Sequence, residues 1–130
     1  MKIAQMPRPE QIQELLEGPN DTPVVMLNLL RFKERADTGG QSGAEAYRQY
    51  ASQMRQIVEG AGGRFLWSGR VDSQVIGESD VPFEIIALVE YPSRAAFVKI
   101  ASSQEVAAIG VHRSAGLEGQ WLLASTEMGL

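Results

Sequence analysis

Val24-Val25-Met26-Leu27-Asn28-Leu29-Leu30-Arg31-Phe32 is the stretch that decides the fold. Its apolar run is far shorter than the roughly 20 residues a membrane helix needs, and its short, continuous apolar character reads as a β-strand buried on both sides. In a strand, Met26, Asn28, Leu30 and Phe32 point one way and Val25, Leu27 and Leu29 the other. One face meets the chain's own helices. The other, whichever set forms it, is too apolar to leave in water, so a second sheet is expected to cover it. Asn28 stands out as a polar amide in mid-strand. It must find partners, because an unsatisfied buried amide costs about 1–3 kcal/mol.

Downstream, Glu34 to Gln41 is a polar, glycine-bearing loop. Ser42-Gly43-Ala44-Glu45 follows as a capping box, in which Ser42 caps the third amide and Glu45 reaches back. Tyr47, Tyr50, Ala51, Met54, Ile57, Val58 and Ala61 then recur at three- and four-residue steps, predicting a surface helix ended by Gly62-Gly63. Arg64 to Ile76 reads as a second strand bent at Gly69, Glu78 to Pro82 as a turn, and Phe83 to Tyr91 as a third strand. Ser93 caps a short helix carrying Ala96, Phe97 and Ile100. Ser102 to Glu105 offers a second capping box before Val106, Ile109 and Arg113, and Gln120 to Ala124 is the last strand. Upstream, Pro9 to Glu17 is a short helix stopped by Gly18-Pro19, too short to stand without docking.

The order is helix, then β-α-β-β-α-β with the second helix broken in two. This is an α+β, ferredoxin-like plan with an antiparallel sheet. Residues 1–130 form one domain, with 1–20 as an N-terminal helical extension and 24–125 as the core. The apolar strand faces point to a homodimer joined through the sheet.

Composition removes several function classes. The net charge is −4, and the basic groupings, Arg31, Lys33, Arg35 and His112-Arg113, form no stripe, so no nucleic-acid partner is expected. There are no cysteines and one histidine, which leaves no Cys-ligated or His-rich metal site. No metal or other cofactor is expected, and no membrane partner. Met1-Lys2-Ile3-Ala4-Gln5-Met6 lacks the apolar stretch of a signal peptide, so the expected location is the cytoplasm.

Met26-Leu27-Asn28-Leu29-Leu30-Arg31-Phe32-Lys33, Tyr47-x-x-Tyr50, Gly62-Gly63-Arg64 and Glu90-Tyr91-Pro92-Ser93-Arg94-x-Ala96-Phe97 resemble the domain-of-unknown-function 1330 family of the dimeric α+β barrel superfamily. The resemblance runs from about Val24 to Ala124, with the N-terminal helix as an addition. It implies a fold and a dimer, not a reaction. Relatives of this fold include cofactor-free monooxygenases, haem-degrading enzymes, chlorite dismutases and small stress proteins.

Among candidate site residues, Asn28 reads either as a ligand-orienting group inside the barrel or as a structural hydrogen-bonding group. His112, the one side chain of a type that ordinarily titrates near neutrality, is a candidate general base, set against a plain surface histidine at the edge of its helical stripe. Glu90, among Ile86 and Leu88, is a candidate acid or base, with pairing to Arg31 or Arg113 as the structural reading. Phe32, Tyr50 and Trp67 are candidate pocket walls, Tyr47 being a further aromatic, and Arg113 or His112 would close one end under a lid formed by residues 34–41. Asn28, Trp67 and His112 match in type, but not in spacing, the residues of haem-degrading relatives. The leading expectation is a dimer that binds a small, partly apolar molecule and could act on it without a cofactor. The alternatives are a non-catalytic structural or stress-related module and a haem-degrading or other monooxygenase-like enzyme.

Overall fold

Strand β1, Val24–Phe32, is central, and the other elements are arranged on it. In the computed structural model, which describes residues 2–37 and 39–129, the chain order is α1 (Pro9–Leu16), β1, α2 (Gly43–Gly60), β2 (Arg64–Arg70), β3 (Ile85–Tyr91), α3 (Arg94–Ala101), α4 (Gln104–Gly116) and β4 (Leu117–Ser125). The strands form one sheet in the order β2-β3-β1-β4, every neighbour antiparallel. That is the ferredoxin-like α+β topology.

The alternation of β1 decides which side is which. Val24, Met26 and Leu30 are buried with Met54 and Val58 of α2, Val89 and Tyr91 of β3, and Ile100 of α3 in the core. The even positions of β1, Asn28 among them, therefore face the helices. Val25, Leu27 and Leu29 face away. Register carries this outward face across the sheet, aligning Leu27 with Leu88, Trp67 and Leu123, and Leu29 with Ile86 and Trp121. Trp67 and Leu123 are among the most exposed large apolar side chains of the strands.

Local chemistry explains the helix ends. Ser42 accepts from the Glu45 amide at 3.1 Å and its own amide donates to the Glu45 carboxylate at 3.0 Å, closing the expected capping box at the start of α2. That hydrogen bond from the Ser42 amide holds the Glu45 carboxyl below the usual carboxylate range. Ser93 and Ser103 cap α3 and α4 with their hydroxyls, so the second cap sits on Ser103, without a reciprocating glutamate. Arg94 anchors α1 by donating to the carbonyls of Pro19 (3.1 Å) and Leu15 (3.4 Å), which satisfies the C-terminal end of the short helix.

The bounds of β2, β3 and β4 differ from expectation, β3 beginning at Ile85, two residues after Phe83. β2 stops at Arg70 instead of running to Ile76, because β3 begins only at Ile85 and the intervening residues have no partner strand. The ladder gives one more bond, from the Val71 amide to Glu84, before the chain turns away and leaves Val75 and Ile76 almost fully exposed. β4 is longer than expected, since Leu117 and Gly119 already pair with Phe32 and Arg31 across an irregular register. No helix among the described residues is long and apolar enough to cross a membrane.

Candidate functional site

An open cleft of about 1760 Å³ lies between the helix-facing side of the sheet and the helices. Its floor on β4 is set by register: Gln120 lies beside Leu30, Leu122 beside Asn28 and Ala124 beside Met26. Its walls include Val106, Ala107 and Arg113 of α4, and Gln5 and Met6 of the N-terminal segment. That segment is laid along β4 by a backbone bridge between Ala4 and Gln120, and the Gln5 side chain donates to the Leu117 carbonyl. Leu122 remains 41 % exposed although it points to the helix side, so the cleft floor is apolar and uncovered at this edge.

A chain of hydrogen bonds runs through the cleft. The Arg113 guanidinium donates to Oε1 of Gln120 at 2.7 Å, Nε2 of Gln120 donates to Oδ1 of Asn28 at 3.2 Å, and Nδ2 of Asn28 donates to the carbonyls of Met26 (3.3 Å) and Ala87 (3.4 Å). The order follows from charge. A guanidinium is donor-only, so it selects the oxygen of Gln120, and every amide behind it is oriented in turn. Asn28 is thus satisfied within the protein and acts as the inner anchor of the chain. It lies on the helix side of β1, not on the face that a second sheet would cover.

The aromatics form a second line. Phe32 and Tyr47 pack with tilted rings, centroids 5.3 Å apart, as do Tyr47 and Tyr50 one helical turn on. Tyr91 meets Phe97 edge-on at 4.9 Å. Burial pushes the Tyr47, Tyr50 and Tyr91 phenols above the ordinary tyrosine value, while the nearby charge of Arg113 partly offsets this for Tyr47 and Tyr50. The phenols therefore stay neutral donors. None of their hydroxyls has a hydrogen-bond partner among the described residues, nor is any of them sealed away from solvent.

The structure brings Asn28, Phe32, Tyr50 and Arg113 to this one cleft, and adds Tyr47, Tyr91 and Gln120. Trp67 lies on the opposite face, folded over Gly69, because a register shift between Phe65 and Trp67 reverses the alternation of β2. Glu90 is also on that face, paired with Arg64 at 2.9 Å instead of Arg31 or Arg113. Arg31 itself bridges Glu84 and Glu118. His112 borders a separate surface depression with Gln41, Glu45, Arg48 and Gln49, away from Asn28. Asn28, Trp67 and His112 thus share no common site. The loop of residues 34–41, of which Thr38 lies outside the described residues, is tied to the body through Asp37 to the Ala115 carbonyl (3.0 Å) and to Lys33 (2.7 Å). Among the described residues no group of three or more histidine, aspartate or glutamate side chains is placed to hold a metal ion.

Known proteins match this architecture. The crystal structure of the RPA0582 protein of unknown function from Rhodopseudomonas palustris is 28% identical, with a TM-score of 0.88, over 99% of this chain and 100% of that one. The methylated RPA0582 protein is 30% identical, with a TM-score of 0.89, over 99% and 98%. A dabb family protein with a ferredoxin-like fold from Mesorhizobium loti shares the fold at 12% identity and a TM-score of 0.54, over 82% of this chain and 98% of that one. No curated protein matches the chain. The profile of the domain of unknown function DUF1330 matches residues 42–126, which begins after β1 and takes in α2 through β4. With that span covered, the chain belongs to the DUF1330 family.

Proposed function

We propose that this chain binds a small, partly apolar molecule in the cleft between its sheet and its helices, and that it does so as a homodimer joined through the opposite face of the sheet. The observation that carries the reading is the oriented chain Arg113–Gln120–Asn28 at an apolar cleft that also exposes unpartnered phenols. Ligand sites are mostly apolar clefts in which a few fixed polar groups set orientation. A cleft that served only as core would have closed over Leu122. The module reading, in which the apolar sheet face serves dimerisation alone, accounts for that face but leaves the cleft without a role.

The test is an NMR titration of the full chain with a library of small, partly apolar compounds. Shifts gathered on the Asn28 and Gln120 side-chain amides and on Ala107 and Ala124 are the expected result. Shifts confined to the outer sheet face, or none at all, would overturn the reading.

A further inference from the structure

We infer that the cleft holds its ligand by a carboxylate, with Arg113 and the Tyr47 hydroxyl as the groups that receive it and the apolar floor at Leu122 as the seat of the ligand's body. The inference rests on the cleft reading above and names the chemistry that site selects.

Arg113 is a cation with no carboxylate partner among the described residues. Its two hydrogen-bond partners are both neutral: Oε1 of Gln120 at 2.7 Å and the Sδ of Met6 at 3.8 Å. Thioether sulfur is a weak acceptor, so of the five guanidinium N–H groups only one is engaged by a strong one. Met6 is 72 % exposed and can swing aside without opening the core. Of the other arginines lining the cleft, Arg8 pairs with Glu10 and Arg48 is exposed at the rim, where its charge acts on Glu45. Arg55 and Arg70 pair with Glu59 and Asp72, and Arg94 is spent on the end of α1.

Two phenol donors stand near Arg113 in the cleft. Tyr47 and Tyr50 sit close enough to feel its charge, and among the described residues their hydroxyls have no acceptor. Glu84, a carboxylate lining the same cleft, is taken up by the Phe32 amide and Arg31. A half-buried guanidinium flanked by neutral O–H donors wants an anion, and its planar fork matches a carboxylate. One unpaired positive charge is balanced by a monoanion. Behind it, Leu122, Val106 and Ala107 offer only apolar surface, which suits a hydrocarbon or aromatic body and gives a second charge nothing to meet.

Three probes of one shape separate head group from body: hexanoate, 1-hexanol and hexylammonium, titrated into the full chain and followed by NMR. Hexanoate should bind at least about tenfold tighter than the other two, as expected for a charge-assisted contact. Arg113→Gln should bring hexanoate down to the level of hexanol and leave hexanol unchanged. Should that variant lose its fold by circular dichroism, Tyr47→Phe removes a single hydroxyl and should weaken hexanoate alone, by about threefold to tenfold. Equal binding of hexanoate and hexanol, or hexanoate binding indifferent to both substitutions, overturns the carboxylate and leaves the cleft standing. Binding of none of the three, with no library compound shifting cleft resonances either, overturns both.

Discussion

Tyr47, Tyr50 and Tyr91 are all the tyrosines of the chain, and burial disfavours the phenolate of each. An unfolded tyrosine ionises near pH 10. Because the folded values are higher, the stability these residues contribute is fully present below that pH and is lost as pH rises beyond it. The denaturation midpoint should stay level from neutral pH to about 9 and fall above about 10. Tyr91→Phe should make the fall shallower. A midpoint that ignores pH to well above 10, or a fall unaltered by Tyr91→Phe, would contradict the burial argument. At this scale the sequence was legible where a residue broke a pattern. Asn28 is polar in an apolar strand, and Arg113 closes an apolar helical stripe. Gln120 and Tyr91 broke nothing, since one sits at the start of a strand and the other in a run of β-formers; only the β1–β4 and β1–β3 registers bring them to the cleft. Trp67 was misleading for a different reason, because a one-residue irregularity in β2 turns it to the far face and leaves no mark in the sequence.

The elements meet most tightly where α2 begins and α4 ends. A Cβ on Gly43 would collide with the carbonyls of Lys33 and Gly116, and one on Gly116 with the Gly43 carbonyl and the Tyr47 amide. The obstacles are backbone, which cannot swing aside. The Lys33 amide also donates to the Gly116 carbonyl at 2.8 Å across the same contact. Gly43→Ala should therefore cost about 3 kcal/mol by chemical denaturation, at the upper end of ordinary overpacking. A cost below about 1 kcal/mol would mean the helices can slide apart there. Periodicity and caps located β1, α1 and α2 almost to the residue, because a capping serine, a leading proline and a glycine stop are local signals. Strand ends are not local. Val71 to Ile76 look like β-formers in sequence, but a strand exists only as far as its neighbour runs, and β3 starts at Ile85. In the sequence Gly43 reads merely as part of a capping box, since close approach of two helices depends on the tertiary arrangement.

At the level of the whole molecule, one sheet presents two unlike faces. The helix-facing side holds the core and the cleft, and the outer side carries Val25, Leu27, Leu29, Ile86, Leu88, Trp67 and Leu123, with its polar groups at the two ends of the strands, the Arg64–Glu90 pair at one and Arg31 with Glu84 and Glu118 at the other. An apolar expanse of this kind marks an interaction surface. The chain should run as a dimer in light scattering at micromolar concentration, and Leu123→Glu should convert it to a folded monomer. A monomeric parent, or a dimer untouched by the substitution, would show that this face does not join the subunits. The alternation along β1 was readable from its sequence. Which set met the helices was not, because both sets are apolar and the choice is made by the direction in which α2 and α4 fold back. The same alternation also sorts the chromophores. Both tryptophans, Trp67 and Trp121, belong to the outer face, and all three tyrosines to the helix side. Trp121 also borders the cleft, so it is Trp67 emission and phenol absorbance that report on opposite sides of a single sheet. With Trp121 replaced by phenylalanine, subunit association and cleft occupancy would leave separate optical signatures in one unlabelled sample.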